Sequence, residues 1–366
     1  MKKKLLVIVL LFSLLNLVFS QKKQVRNDSI KKKIDFAVIP MVSYNNSFGG
    51  QIGFMSNGFF DINKEDTISP TSMVGIFGSY FTNSTFFFGV ISKNYFAEDK
   101  WRTRTVLAYG NIEFQTYVDV PGYLGETEAG SVIIDYNTKV PFIYLSGMRE
   151  IFNKIYGGVQ VSYSQSKTEF NSDGIPVDIP TETEHLFGFG LDSEFDSRDN
   201  IMNPHTGMNA ILQTTSYLEA LGSSSEYHRI KAAFNKFFKF NTKSILVARL
   251  YAVASVGDVP FSGQNIVSRD DMRGYSKGEY RANQVYNIQT EYRWNFYNKW
   301  GVVFFGGLGL ATDDFQGNNY SGILPSIGTG IRFKAIVSRN INIGIDVAKG
   351  KNDWGLYFRI GEAFGR

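Results

Sequence analysis

Three histidines (His185, His205 and His228) and no cysteine set the limits of the chemistry open to this 366-residue chain. A thiol nucleophile, a Cys-ligated zinc and a disulfide scaffold are excluded. His228 follows Ser223, Ser224 and Ser225 closely, so a Ser/His pair is one reading. Serine is common in loops, however, and no acid is placed to order a triad. No G-x-S-x-G, H-E-x-x-H or P-loop pattern occurs, and no His/Asp/Glu set has metal-ligand spacing. The residues point to a protein that is not an enzyme and needs no metal or cofactor.

What remains is the chemistry of charge pairing. The run Asp196-Ser197-Arg198-Asp199 continues to Pro204 and Gly207. By itself it reads as a tight polar turn. Asp and Asn bond their own backbone, Pro fixes φ, and Gly takes a positive φ. A second run, Asp271-Met272-Arg273-Gly274-Tyr275, lies in a long loop, and Glu291 follows on the polar face of the next strand. A carboxylate facing an interior needs water or a cation. Arg273 folded back toward it would give a charge-assisted pair.

Alternation supplies the scaffold for these groups. Tyr286, Ile288, Thr290, Tyr292, Trp294 and Phe296 share one face, and Asn287, Gln289, Glu291, Arg293 and Asn295 the other. Ile341, Ile343, Ile345 and Val347 alternate in the same way with Asn342, Gly344, Asp346 and Ala348. This period of two defines strands apolar on one side and polar on the other. The runs are about ten residues or longer, the length a tilted strand needs to cross a bilayer. Apolar faces ending in Tyr, Trp or Phe suit an aromatic girdle. The mean hydropathy of −0.15 excludes a bundle of membrane helices but not a barrel, since half of each strand faces water.

The expected fold is therefore all-β: a transmembrane antiparallel barrel of about sixteen strands, connected as an up-and-down meander. The first strand is expected at 34–44, the sixth at 139–149 and the last at 352–364. Long connections at 119–138, 171–184, 258–281 and 313–324 belong on the outer side, and short turns on the periplasmic side. Residues 1–20 read as a secretory signal: Lys2, Lys3 and Lys4 precede an apolar stretch that is short for a spanning helix. Residues 21–33 form a basic periplasmic tail, and 34–366 the outer-membrane barrel. Losing the three signal lysines takes the formal charge from +4 to +1, so basicity gives no argument for nucleic acid.

At this point the motifs resemble those of the BamA/TamA superfamily of outer-membrane assembly and translocation barrels. The likeness rests on Arg273-Gly274-Tyr275 before the strand of Glu291, and on Asp196, Arg198, Asp199, Pro204 and Gly207 in the upstream turn. It rests also on a closing pattern from Gly344 to Phe364. The resemblance implies that Arg273 sits inside the barrel and pairs with Glu291. It also implies an F-x-D-x-G pattern on the following strand, but this chain has Phe305-Gly306-Gly307-Leu308-Gly309, with Gly307 in place of the Asp. Asp346, on a lumenal face nearby, is the carboxylate that could compensate. Family members generally carry periplasmic POTRA domains. None is expected here, so the chain reads as a barrel-only member.

A barrel closes by pairing its first strand with its last. Pro40 lacks an N–H, and Gly355 and Gly361 weaken a strand interior. The seam is thus expected to be the weakest pairing in the wall, unless Pro40 lies at the rim. The resemblance implies that such a seam admits client strands to the lipid, with outer-membrane lipid and client or partner proteins as the implied partners. A passive channel or structural barrel is the alternative.

Overall fold

The computed structural model describes residues 34–45, 49–120, 130–171, 182–267, 271–275, 280–314, 316–317 and 320–364. The expected signal segment and basic tail lie outside the described residues. Among the described residues, eighteen strands follow in chain order: β1 (Asp35–Asn45), β2 (Gly49–Phe60), β3 (Ser72–Phe81), β4 (Phe86–Phe96), β5 (Trp101–Val120), β6 (Gly130–Phe152), β7 (Ile155–Asn171), β8 (Glu182–Asp196), β9 (Gly207–Tyr217), β10 (Tyr227–Lys239), β11 (Ser244–Gly257), β12 (Asn265–Ile266), β13 (Arg281–Ala282), β14 (Gln284–Tyr297), β15 (Trp300–Thr312), β16 (Leu324–Ile336), β17 (Ile341–Lys349) and β18 (Trp354–Ile360). Sixteen of them form one antiparallel sheet in sequence order. The two-residue β12 and β13 pair with each other inside the β11–β14 connection.

The sheet curls until β1 lies beside β18, giving a nearly closed up-and-down barrel. Alternation decides which side chains face in. Ile76, Phe88, Leu107, Leu250, Ile288 and Ile331 are exposed on the outer face, whereas Asn57, Gln160, Asp192, Asn235, Gln289 and Arg332 are buried within. Water excluded from hydrocarbon cannot serve the backbone, so neighbouring strands must satisfy its polar groups. The ladders from β1–β2 round to β17–β18 do this.

Several boundaries differ from expectation. β6 begins at Gly130, nine residues before the expected start, because β5 and β6 stay paired as far as Val120↔Gly130. The added residues include Val132, Ile133, Ile134 and Tyr136, which favour extended pairing. On the side of the short turns, two connections are longer, at 61–71 and 197–206. At the other extreme, Asn153 and Lys154 make a two-residue turn with φ of 32° and 68°, the sense that matches strand twist.

β18 ends at Ile360, so Gly361 is not inside a strand. Its φ of +82° instead turns the chain inward, with its N–H donating to the Asn342 carbonyl at 2.7 Å. Gly355 is the second residue of β18. Pro40 sits at mid-strand opposite Phe54, away from the rim. Among the described residues β1 and β18 share no ladder and are the two ends of the hydrogen-bonded order. Side chains bridge them instead. Ala37, Ile39 and Phe59 pack in one buried cluster with Ile341 and Ile360, and Met202 packs against it.

Candidate functional site

The β11–β14 connection folds back into the barrel. Its neck is closed by the β12–β13 pair and by Val267 N–H donating to the Tyr280 carbonyl at 3.0 Å. Asn265 Nδ2 ties this neck to the Asn283 carbonyl at 2.7 Å. Val267, Met272, Tyr275 and Ala282 then bury against Tyr251, Val253, Val285, Ala311 and Leu324 on the wall. This apolar contact helps to place the loop tip at lumen depth. It also explains why lumenal positions of β11, β14 and β15 carry apolar residues.

At the tip, Arg273 is 2% exposed. Its Nη1 donates to Asp346 Oδ2 at 2.8 Å, and its Nη2 makes an ion contact with Glu291 Oε2 at 2.6 Å. The second contact is out of line for a hydrogen bond, so Asp346 is the better-oriented partner and Glu291 acts through charge. The guanidinium lies over the Phe305 ring, 3.3 Å from its centroid, and 5.3 Å from that of Phe364.

The backbone around Arg273 is held as well. Its carbonyl accepts from Ser326 Oγ. Gly274 N–H donates to Tyr357 OH at 2.8 Å, and Tyr275 OH donates to the Pro325 carbonyl at 2.6 Å. Gly274 has φ +103°, and a Cβ there would stand 2.9 Å from Gly350 N. Position 274 thus excludes other residues both by conformation and by space. Upstream, Asp271 pairs with Arg249 at 2.9 Å, and its carbonyl accepts from Gln289 Nε2.

The pair expands into a larger network. Asp346 also takes Arg332 Nη1 at 2.5 Å and Arg359 Nε at 2.9 Å. Arg293 Nε donates to Glu291 Oε1 at 2.8 Å, and Glu362 Oε2 accepts from Arg332 Nε at 2.8 Å. Four guanidiniums thus surround three carboxylates. Gly307, where the family pattern has Asp, lies under Gln289; a Cβ there would approach Gln289 Cγ to 2.6 Å. Asp346 shares the Arg273 contact with Glu291 in this chain.

The upstream turn anchors a second network. Arg198 Nε and Nη2 grip Asp196 at 2.7 Å each, and Arg102 Nη1 reaches the same carboxylate at 3.0 Å. Arg104 Nη2 pairs with Glu194 Oε2 at 2.6 Å. Burial disfavours the Arg198 charge, but bonding and attraction from Asp196 and Glu194 outweigh it and raise its pKa above the ordinary value. Asp199 Oδ1 accepts from the backbone N–H groups of His205 and Thr206 at 2.8 and 3.1 Å. Gly207, with φ +91°, starts β9.

This turn reaches the first network. The Pro204 carbonyl accepts from Arg293 Nη1 at 3.3 Å, and the Met202 carbonyl from Glu362 N–H at 3.2 Å. The sequence-derived residues Asp196, Arg198, Asp199, Pro204 and Gly207 therefore join Arg273, Glu291 and Asp346 through one connected set. Phe305, Arg293, Arg332 and Arg359 were missed as site residues. Their lumenal parity was legible, but which of many lumenal side chains converge depends on the barrel's curvature. Glu362 and Phe364 lie beyond β18, where parity no longer applies.

The serine–histidine reading fares differently. His228 Nδ1 meets Ser216 Oγ at 2.9 Å, while Ser223 and Ser224 bond the backbone of Phe187 and His185. Among the described residues, no three His, Asp or Glu side chains are grouped to hold a metal ion.

A family model, the Omp85 superfamily domain, matches residues 71–364. Among solved structures, the chain is similar to BamA from Haemophilus ducreyi lacking POTRA domains 1–3, with 12% identity and a TM-score of 0.58, covering 90% of this chain and 70% of that one. It is similar also to CdiB from Acinetobacter baumannii and to CdiB from Escherichia coli, each with 11% identity, a TM-score of 0.58 and 90% of this chain covered. It spans 60% and 63% of those two chains. At such identities the likeness is one of fold. No curated protein sequence matches.

Proposed function

This chain belongs to the Omp85 superfamily, and from that premise we propose that it is an outer-membrane barrel that assists insertion or export of other outer-membrane or secreted proteins through its β1/β18 seam. The observation that supports this most is the seam itself. Each strand pair from β1–β2 round to β17–β18 is laddered, yet β1 and β18 abut without a ladder among the described residues. Unpaired strand edges in hydrocarbon are costly and accept another strand readily. The seam is thus the place where a client strand gains most by pairing. Exchange of backbone hydrogen bonds, not covalent chemistry, is the work done.

The pinned loop supports the reading from within. Arg273 and its partners, with the 197–206 connection beneath them, fill lumen that a passive pore would leave open. A passive channel is therefore the less favoured reading.

The test uses the protein in proteoliposomes. Urea-unfolded outer-membrane barrels are added and their folding rate is followed. The rate should rise with the protein present. It should fall back when Val38→Cys and Leu356→Cys are joined by a short thiol cross-linker. Equal rates with the folded protein locked and unlocked would overturn the proposal.

A further inference from the structure

One arginine ties the β16–β17 turn to β1 and to the β2–β3 connection across the seam. Arg339 ends a single 3-10 turn, Val337–Arg339, between β16 and β17. Its Nε donates to Asp35 Oδ2 at 2.6 Å, at the first residue of β1. Its Nη1 donates to Asp61 Oδ1 at 2.7 Å and to Thr71 Oγ1 at 2.8 Å, at the two ends of the β2–β3 connection, and Nη2 reaches Asp61 Oδ2 at 3.2 Å. One guanidinium thus spends its donors on three residues that lie across the seam from it. The fork geometry suits this; an ammonium does not.

The route is open because the last strand stops early. β18 ends at Ile360, and Gly361 turns the chain into the lumen, where Glu362 bonds Arg332 and Asn342. Arg339, in the turn before β17, bonds the first residue of β1 beside it. Its own turn is fixed. Asn340 adopts φ +54° with its N–H on the Val337 carbonyl, and its Oδ1 accepts from Asn203 Nδ2 at 3.4 Å. Burial acts against the Arg339 charge, yet the carboxylates of Asp61 and Asp35 raise its pKa above the ordinary value.

Among the described side chains, the apolar contacts across the seam lie at the same end. Ala37 and Ile39, in the first half of β1, meet Ile341 and Ile360, at the start of β17 and the end of β18. We propose that Arg339, clasped to Asp35 and Asp61, is the hinge of the seam: it keeps the periplasmic end of β1 against the barrel while the outer end parts. This rests on the seam being the working part of the protein, but it concerns how the seam is held, and its test reads structure alone.

Spin labels on outward-facing positions measure it. One pair, Phe36→Cys and Ile345→Cys, reports the periplasmic end, and another, Ile52→Cys and Trp354→Cys, the outer end. In bilayer discs the periplasmic pair should give a narrow distance distribution and the outer pair a broad one. Arg339→Ala should broaden the periplasmic pair to resemble the outer one, and Arg339→Lys should recover it only in part. Asp35→Asn with Asp61→Asn leaves the arginine in place and should act in the same direction. Because Asp61 is half-exposed, 1 M salt should broaden the periplasmic distribution of the unmodified clasp, as expected when the Debye length falls to about 3 Å. An unchanged periplasmic distribution in the aspartate double variant, with the barrel folded, overturns the hinge. So does an outer pair narrower than the periplasmic one. Neither result bears on whether clients are inserted, so the hinge and the insertion role fail separately.

Discussion

The carbonyl of Pro204 accepts a hydrogen bond from Arg293 Nη1 at 3.3 Å. These residues are 89 positions apart, one in the β8–β9 connection and the other on β14. Arg293 also bonds Glu291, which in turn touches Arg273. The β8–β9 turn and the β11–β14 loop, entering from opposite ends of the strands, therefore meet on one pair of β14 side chains. Both connections are held by the same buried charges.

Arg273→Ala should destabilise the barrel strongly. Breaking a buried pair typically costs about 3–5 kcal/mol. The lower end is expected here, because Arg293 remains beside Glu291, and Arg332 and Arg359 beside Asp346. Lys299→Ala, at an exposed turn, should change stability by no more than about 0.5 kcal/mol. Urea unfolding of both variants in the same micelles gives the comparison; equal midpoints would remove the pinning role.

Asp346→Asn should destabilise more than Glu362→Gln. Asp346 answers three arginines, at 2.5 to 2.9 Å. Glu362 contacts Arg332 closely and Arg293 only at 3.8 Å, and it keeps a bond from Asn342 as a neutral amide. The order of the two midpoints in urea is the readout.

Gly274→Ala should release the loop rather than unfold the wall. A residue held at φ +103° without glycine's freedom costs about 1–3 kcal/mol, and its Cβ would press on Gly350. Trypsin added to the outer face should then cut at Arg273, which the folded wild type protects. Retained protection would mean that strand ends 349–350 give way more easily than the loop.

Amides of β1 and β18 should exchange with deuterium sooner than those of β11. Each end strand has one laddered edge, whereas β11 is bonded to both β10 and β14. Local opening follows the number of bonds that must break. Peptides covering 35–45, 354–360 and 244–257 report the order directly.

The 197–206 connection should loosen in mild acid. Burial lowers the pKa of His205 below its ordinary 6.5, with Asp199 opposing the shift. The folded form thus resists protonation. Its contribution to stability is present above about pH 6.5 and is lost as pH falls from there toward the depressed folded value. Limited proteolysis at pH 8 and pH 5 should show faster cleavage of this connection in acid, and His205→Asn should flatten the difference.

Alternating residue types determined most of the wall. They placed sixteen barrel strands, and they placed Glu291, Arg293, Arg332 and Asp346 on the lumenal face, because side-chain direction along a strand depends only on parity. Local chemistry also determined the turn at Gly207, since positive φ selects glycine wherever the chain is. Three features were decided by the tertiary structure. Asp346, not Glu291, gives Arg273 its aligned bond, because curvature brings β17 opposite the loop. The last strand ends at Ile360, where Gly361 turns the chain so that Glu362 meets Arg332 inside. Finally, the seam is tied by Arg339, whose partners Asp35 and Asp61 are 304 and 278 residues away in the chain. Parity cannot predict contacts between the two ends of a sheet; they exist only once the sheet has curled far enough to bring those ends together.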